Sequence, residues 1–228
     1  MTTPFKPELL SPAGSLKNMR YAFAYGADAV YAGQPRYSLR VRNNEFNHAN
    51  LKIGIDEAHA LGKKFYVVVN IAPHNSKLKT FIKDLQPVID MGPDALIMSD
   101  PGLIMLVREN FPDIDIHLSV QANAVNWATV KFWKQMGLTR VILSRELSIE
   151  EIAEIRQHVP DIELEIFVHV HCAWRILAVA YFLAISTNVT QTKALARMLA
   201  VGNTKWKKAP RMKWATSCQK SILLNKSK

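Results

Sequence analysis

The stretch RVILSRELSIEEIAEIRQHVPDIELEIFVH, residues 140–169, contains a strand, a helix and a second strand. RVILSREL is a short apolar run closed by polar residues, which favours a buried strand. Ser148 with Glu151 three residues later forms a capping box, and the helix that follows it stops before Pro160. LEIFVH then predicts the next strand.

The same alternation fills residues 1–169. Short apolar runs are separated by segments with helical spacing, so we predict seven strands. They are residues 8–14, 27–33, 64–70, 95–100, 115–123, 140–147 and 164–169. Ser15 is the expected N-cap of the first helix, and Gly26, Gly92 and Gly137 are expected to end three of the helices.

Strands linked by single amphipathic helices lie parallel, and right-handed crossovers wind them into a doubly wound sheet or a barrel. Seven successive βα units favour an α/β fold of the (β/α)8 TIM-barrel type over an open sheet. No eighth unit is found in the sequence. We therefore predict an incomplete barrel domain over residues 1–169 and a tail without a defined domain over residues 170–228.

The charge of the chain is concentrated in that tail. The formal net charge is +10, yet residues 1–169 contain 18 Lys and Arg against 19 Asp and Glu, whereas residues 170–228 contain 11 Lys and Arg and no acid. The tail also holds both cysteines, Cys172 and Cys218, which give no disulfide framework. Its apolar run 170–186 contains an arginine and is slightly short for a membrane span, and the N-terminus has no secretory signal, so we expect a cytoplasmic protein without a membrane partner.

Polar residues that close the strands are the candidates for a functional site, because the carboxyl ends of barrel strands line the mouth. They are Ser11, Tyr31, Asn70, Ser99, Asp100, Gln121, Asn123, Ser144, Arg145, Glu146, Glu165 and His169.

Several of these residues also have a structural interpretation. Asn70 is either a turn residue or a substrate contact, and Asp100 with Ser99 is expected to cap the following helix. Gln121 and Asn123 lie two apart on a predicted strand, which points both toward the mouth as ligand contacts. Arg145 and Glu146 form either a rim ion pair or a clamp for an anion.

Glu165 and His169 share one face of the last predicted strand. This spacing allows an acid–base pair or metal ligation without requiring either. The loop QPRYSLRVRNNEFNH after the second strand holds Arg36, Arg40 and Arg42, which predicts phosphate or carboxylate binding, with a solvated surface as the alternative.

Long stretches of residues 5–169 closely resemble peptidase family U-32, the collagenase-like proteases. They are PELLSPAG, YGADAVYAGQPRYSLRVRNNEFN, LIMSDPG, HLSVQANAVNWATVKFWKQMG, RVILSREL and EIFVH. Within that family they look most like the bacterial prephenate-dependent tRNA uridine hydroxylases, which help to form 5-hydroxyuridine at the wobble position. The resemblance implies tRNA and an anionic metabolite such as prephenate as partners, and a 4Fe-4S cluster held by four cysteines in the intact protein.

The resemblance ends at His169. The family pattern continues from Glu-x-Phe-x-His into Gly-Ala-Leu-Cys, whereas this chain reads Val170-His171-Cys172-Ala173-Trp174. The codons GGT GCA CTG TGC ATG GCN encode Gly-Ala-Leu-Cys-Met-Ala, and loss of one G gives GTG CAC TGT GCA TGG, the observed string. We interpret residues 170–228 as a frameshifted tail that follows a one-base deletion or a sequencing error.

Two activities are open for the intact protein. One is tRNA modification, with Arg40, Arg42, Asn70, Gln121, Asn123, Arg145 and Glu146 as substrate contacts. The other is peptide hydrolysis, with Glu165 and His169 as the catalytic pair and a metal. Because the chain as written lacks the cysteine motif, we expect it to hold no cluster and, as a truncated fragment, to be inactive.

Overall fold

A computed structural model of the chain describes residues 7–39, 44–169 and 220–224, with the backbone alone at His169 and over Lys220–Leu224. Strands and helices alternate along the described chain. The strands are β1 (Leu9–Pro12), β2 (Ala29–Gly33), β3 (Lys64–Val69), β4 (Ala95–Met98), β5 (Ile116–Leu118), β6 (Arg140–Ile142), β7 (Glu163–His169) and β8 (Lys220–Leu224). The helices are α1 (Leu16–Ala24), α2 (His48–Ala60), α3 (Asn75–Asp90), α4 (Pro101–Asn110), α5 (Trp127–Gln135) and α6 (Ile149–His158).

The sheet confirms the predicted barrel type. Each strand from β1 to β7 pairs in parallel with the next strand along the chain. A doubly wound sheet would instead reverse its strand order partway. The seven predicted strands are therefore confirmed as a TIM-barrel-like fold that is incomplete over residues 1–169. Their bounds are shorter than predicted, except for β7, which begins one residue earlier.

The strand β8 stands last in the strand order of the closed barrel. The sequence did not predict it, because its five residues lie in the tail that we interpret as out of frame. The barrel strands up to Ile166 belong to one compact unit together with residues 222–224, while residues 167–169 and 220–221 belong to a second unit.

The strands are buried on both faces, which explains why their sequences are nearly continuous apolar runs. In β3, Phe65, Val67 and Val69 pack in the core between the sheet and the helices. Tyr66 and Val68 alternate with them and face the barrel axis. The barrel thus has an outer apolar layer and a separate interior.

The helix ends follow the local signals in the sequence. The side chain of Asp100 accepts a hydrogen bond from the backbone N–H of Leu103 at 2.9 Å, so the capping interpretation of Asp100 is confirmed. Ser148 and Glu151 form the predicted capping box of α6. Gly92 and Gly137 follow α3 and α5 with φ angles of 75° and 82°, a conformation that glycine adopts without strain.

Among the residues that the structure describes, no helix is both long enough and apolar enough to span a membrane.

We expect Asp100→Ala to lower the free energy of unfolding by about 1 kcal/mol, because it removes the N-cap acceptor of α4. Asp113→Ala, which removes an exposed acid in a turn, serves as the control and should change stability by less than about 0.5 kcal/mol. Urea unfolding followed by circular dichroism measures both. Equal effects of the two substitutions would contradict the capping role.

Candidate functional site

A buried guanidinium occupies the interior of the barrel. Arg140, the first residue of β6, is only 2% exposed. Its Nε donates to Glu163 Oε2 at 3.0 Å, and its Nη1 donates to Glu8 Oε1 at 2.9 Å. Its Nη1 also lies 3.5 Å from Glu165 Oε2. One cation thus meets three carboxylates, from the residue before β1 and from β7.

The parallel register explains how this ion cluster assembles. Arg140 lies level with His117 of β5 and Glu163 of β7. From across the barrel, Tyr66 donates its hydroxyl hydrogen to Glu8 Oε1 at 2.8 Å, and its ring lies 5.1 Å from the Arg140 guanidinium carbon. Because Arg140 and Glu163 begin their strands, the cluster lies at the end of the barrel opposite the mouth.

Electrostatics within the ion cluster favours its charged state. Burial by itself would raise the pKa of Glu8, but the charges of Arg140 and Lys64 and the hydrogen bonds from Tyr66 and Arg140 outweigh it, so this pKa is lowered. Burial raises the pKa of Tyr66. Burial would lower the pKa of Arg140, yet Tyr66 and the surrounding carboxylates raise it. Glu8 and Arg140 are therefore an ion pair at neutral pH.

His117 is the neutral member of this interior. It is 3% exposed, and its ring meets the Tyr66 ring edge to face with centroids 4.8 Å apart. Burial, followed by the positive charges of Arg140 and Lys64, lowers the pKa of His117 well below its ordinary value. Among the described residues, its Nδ1 is buried and finds no hydrogen-bond partner.

The structure places Glu165 with this ion cluster. Its side chain is 2% exposed and faces Arg140, while its backbone carbonyl accepts from the Leu143 N–H at 2.9 Å. The side chain of His169 lies outside the described residues, so the pairing of Glu165 with His169 stays a prediction. What the structure does establish is that Glu165 contributes a carboxylate to a buried ion network.

The centre of the barrel mouth presents amide and hydroxyl groups, with the Glu146 carboxylate at its edge. Asn70 follows β3, and its Oδ1 accepts from the Leu39 N–H at 3.1 Å, while its carbonyl accepts from Ser99 Oγ at 3.2 Å. Ser144 Oγ lies 3.3 Å from Asn123 Oδ1 and also donates to the Glu146 carboxylate, which lowers the pKa of Glu146. The hydrogen bond from Leu39 to the Asn70 side chain supports the interpretation of Asn70 as a turn residue.

The predicted strand over 115–123 is wrong beyond Leu118. Residues Val120–Ala122 form a single 3-10 turn, and Asn123 has a left-handed backbone with φ 54°. Gln121 and Asn123 therefore do not point the same way from a strand, although both are exposed near the mouth. A short polar side chain such as that of asparagine tolerates the left-handed conformation better than most residues, a signal that the alternation of the sequence obscured.

The arginine-rich loop after β2 is fixed onto helix α3 at its first half. Arg36 Nη1 lies 2.8 Å from Asp84 Oδ2, and the buried Tyr37 donates to the same oxygen at 2.7 Å. Lys77 Nζ donates to the backbone carbonyl of Arg36 at 3.2 Å. Arg40 and Arg42 lie outside the described residues.

Five members of the ion cluster were not among the residues that the sequence singled out. They are Glu8, Tyr66, His117, Arg140 and Glu163. The available signal was a charged or ring-bearing polar residue inside an apolar strand, as at Arg140 in front of Val141. Such a residue must be paired when it is buried, so it marks a partner elsewhere in the fold.

The 4Fe-4S cluster that the family resemblance implies does not fit this chain. A 4Fe-4S cluster takes four cysteine ligands, and the chain has two cysteines, both outside the described residues. Within residues 7–39 and 44–169 there is also no group of three or more His, Cys, Asp or Glu side chains arranged to hold a metal ion.

We expect Arg140→Met to destabilise the barrel by about 3–5 kcal/mol, because it leaves buried carboxylates without their cation. Arg145→Met removes an exposed arginine five residues later and should change stability by less than about 0.5 kcal/mol. Chemical unfolding of the two variants tests this difference. An Arg140→Met protein as stable as the control would mean that the buried charges are not coupled.

Glu8 gives the ion cluster a defined pH dependence. Since its folded-state pKa is depressed, its contribution is complete above the ordinary value of about 4.3 and is lost as pH falls through the folded-state pKa. The stability difference between the wild type and Glu8→Gln should therefore be largest near neutral pH and shrink in acid. Unfolding titrations at a series of pH values measure it, and a constant difference would refute the linkage.

Comparison with known proteins gives the same family as the sequence motifs. The family model described as peptidase family U32 matches residues 14–175. The chain is 96% identical over 169 residues to tRNA hydroxylation protein P of Haemophilus influenzae, a match covering 74% of this chain and 37% of that protein. It is 87% identical over 165 residues to tRNA hydroxylation protein P of Escherichia coli, covering 72% of this chain and 36% of that protein.

The fold has a solved counterpart in the structure of the U32 peptidase Mk0906. The TM-score is 0.55 at 14% sequence identity, with 78% of this chain and 77% of that chain covered. The chain spans little more than a third of the length of the two curated relatives. Since the family model covers well over half of the chain, this chain belongs to peptidase family U32.

Proposed function

We propose that the described barrel is part of a tRNA-modifying protein that forms 5-hydroxyuridine at the wobble position. The observation that carries the proposal is the 96% identity, over 169 residues, with a protein named for tRNA hydroxylation. That stretch is long enough to include both the ion cluster and the mouth. The activity is assigned to the longer protein, because the chain spans 37% of that relative.

The neutral polar mouth suits a nucleobase. Amide and hydroxyl groups both donate and accept hydrogen bonds, as the edge of a uracil requires. Asn70, Gln121 and Asn123 supply the amides, and Ser144 supplies a hydroxyl whose oxygen lies 3.3 Å from Asn123 Oδ1. In this proposal these side chains read the base that enters the mouth.

An anionic small molecule such as prephenate is the second proposed ligand. Guanidinium groups bind carboxylates in a bidentate manner, which makes arginines the natural contacts. Arg145 is exposed beside the mouth, and Arg40 and Arg42 belong to the loop whose first half is fixed on α3. Glu146, held by Ser144, is proposed to orient Arg145 or a polar group of the ligand.

The protein is proposed to be cytoplasmic, and the chain as written is proposed to be inactive. The match to the Haemophilus influenzae relative extends over 169 residues, which equals the number of residues before Val170. This agrees with a change of reading frame at that point. The 4Fe-4S cluster and the oxidation chemistry it supplies belong to the in-frame protein, whose cysteines this tail lacks.

Peptide hydrolysis is the weaker alternative. It assigns acid–base work to Glu165, whose carboxylate faces Arg140 within the buried ion cluster. Glu165 is only 2% exposed, which limits the access of a peptide substrate to its carboxylate.

The decisive experiment compares two genes in a host that makes no 5-hydroxyuridine of its own. One gene encodes the 228-residue chain, and the other has a single G restored before codon 170. We expect mass spectrometry of digested tRNA to detect 5-hydroxyuridine only with the restored gene. The control is the restored gene with the cysteine of its Gly-Ala-Leu-Cys motif replaced.

Each other outcome is informative. Hydroxyuridine made by the 228-residue chain would refute its proposed inactivity. Absence of the modified base with a well-expressed restored protein would refute tRNA hydroxylation. Cleavage of casein by that protein, abolished by Glu165→Gln, would then support the peptidase.

A further inference from the structure

The described part of the barrel carries a strongly uneven charge around its mouth. Four cationic side chains lie on the loop after β2 and the first nine residues of α3, and we refer to them as the basic rim. They are Arg36, Lys77, Lys79 and Lys83. Over residues 34–44 and 70–83 the sequence contains no acid at all.

The basic rim is held together by specific contacts. The Arg36 guanidinium and the Lys77 ammonium lie 5.8 and 5.9 Å from the centroid of the Tyr37 ring. Among the described residues, the nearby acid Asp84 accepts hydrogen bonds from Arg36, Tyr37 and Thr80. The four cations of the basic rim outnumber this carboxylate, which leaves a net positive surface.

This arrangement works against the stability of α3. Lys79 and Lys83 lie four residues apart, so they are like-charged neighbours on one helix face. Lys77 is in the first turn, where the helix dipole already places positive charge. Like-charge repulsion among these lysines is relieved when an anion binds.

The far side of the mouth has the opposite charge. Glu146 follows β6, and Glu150 and Glu151 occupy the first turn of α6, with Arg145 as the cation among them. A polyanion at the mouth is therefore attracted to the α3 side and repelled from the α6 side. The positive charge at α3 does not come from an overall basic composition of the barrel, because residues 1–169 have one acidic residue more than they have basic residues.

We infer that the basic rim is the surface on which the phosphate backbone of the RNA substrate lies, with the neutral mouth beside it receiving the base. This inference rests on the proposed function, which supplies RNA as the partner. Spaced lysines and an arginine on an exposed helix and loop are the side chains that contact phosphates without reading sequence.

The test measures binding of the 228-residue chain to an unmodified tRNA anticodon stem–loop by fluorescence anisotropy over roughly 50–200 mM salt. The double variant Lys79→Gln with Lys83→Gln should bind more weakly and reduce the salt slope by about one for each lysine that contacts a phosphate. The matched control, Lys131→Gln with Lys134→Gln on α5, removes the same charge from another helix and should leave the slope unchanged. The basic tail is present in all three proteins, so its contribution cancels.

A footprint provides the second measurement. Bound RNA should protect Lys79 and Lys83, but not Lys131, from acylation detected by mass spectrometry. Equal salt slopes for the two double variants, or equal acylation with and without RNA, would overturn the inference. The inference would also be overturned if the double variant Lys79→Gln with Lys83→Gln bound RNA as tightly as the wild type but no longer bound anionic lipid vesicles.

These outcomes separate the inference from the proposed function. Binding that depends on the basic rim, without hydroxyuridine formation by the restored protein, would refute hydroxylation and keep the RNA surface. Hydroxyuridine formation together with binding that ignores Lys79 and Lys83 would refute the basic rim alone.

Discussion

The ion cluster around Arg140 is the constraint on which the barrel depends. A buried guanidinium without partners is very costly, so Glu8, Glu163 and Glu165 must all reach it. A slip of one residue between β6 and its neighbours would turn Arg140 toward the helices and turn Val141 inward. The ion cluster therefore fixes the register of β6. It also joins Glu8, the residue before β1, to Arg140, which lies 132 positions later in the chain.

The barrel interior divides into an ionic floor and a neutral mouth. The charged groups of the floor pair with one another. His117, which lies among them, is kept neutral by burial and by nearby cations. The mouth presents amides and hydroxyls, whose hydrogen bonds to one another are exchangeable for bonds to a ligand. Under the proposed function, stability and recognition are thus assigned to opposite ends of the same strands, which is the usual division in barrels of this type.

Local signals in the sequence were sufficient for the order of elements. The caps at Ser15, Asp100 and Ser148 and the glycines after α3 and α5 depend on neighbouring residues only, and all are found in the structure. The end of β5 was not predictable from alternation, because the 3-10 turn after Leu118 contains residues that also suit a strand. The pairing of Glu8 with Arg140 was beyond any local signal, since it forms only when the barrel brings distant positions together.

For the candidate site, sequence position predicted which residues lie near the mouth, but it did not predict which of them are occupied with structural contacts. Asn70 is near the mouth as expected, yet its side chain holds the loop at Leu39. Net charge was an even weaker guide, because the formal +10 comes from residues 170–228. What a polyanion senses is the charge within about one Debye length, roughly 8–10 Å, of where it binds. On that scale a nearly neutral barrel can have a strongly positive rim at α3 and a negative one at α6, and only the three-dimensional placement of Arg36 and Lys77 around Tyr37 reveals it.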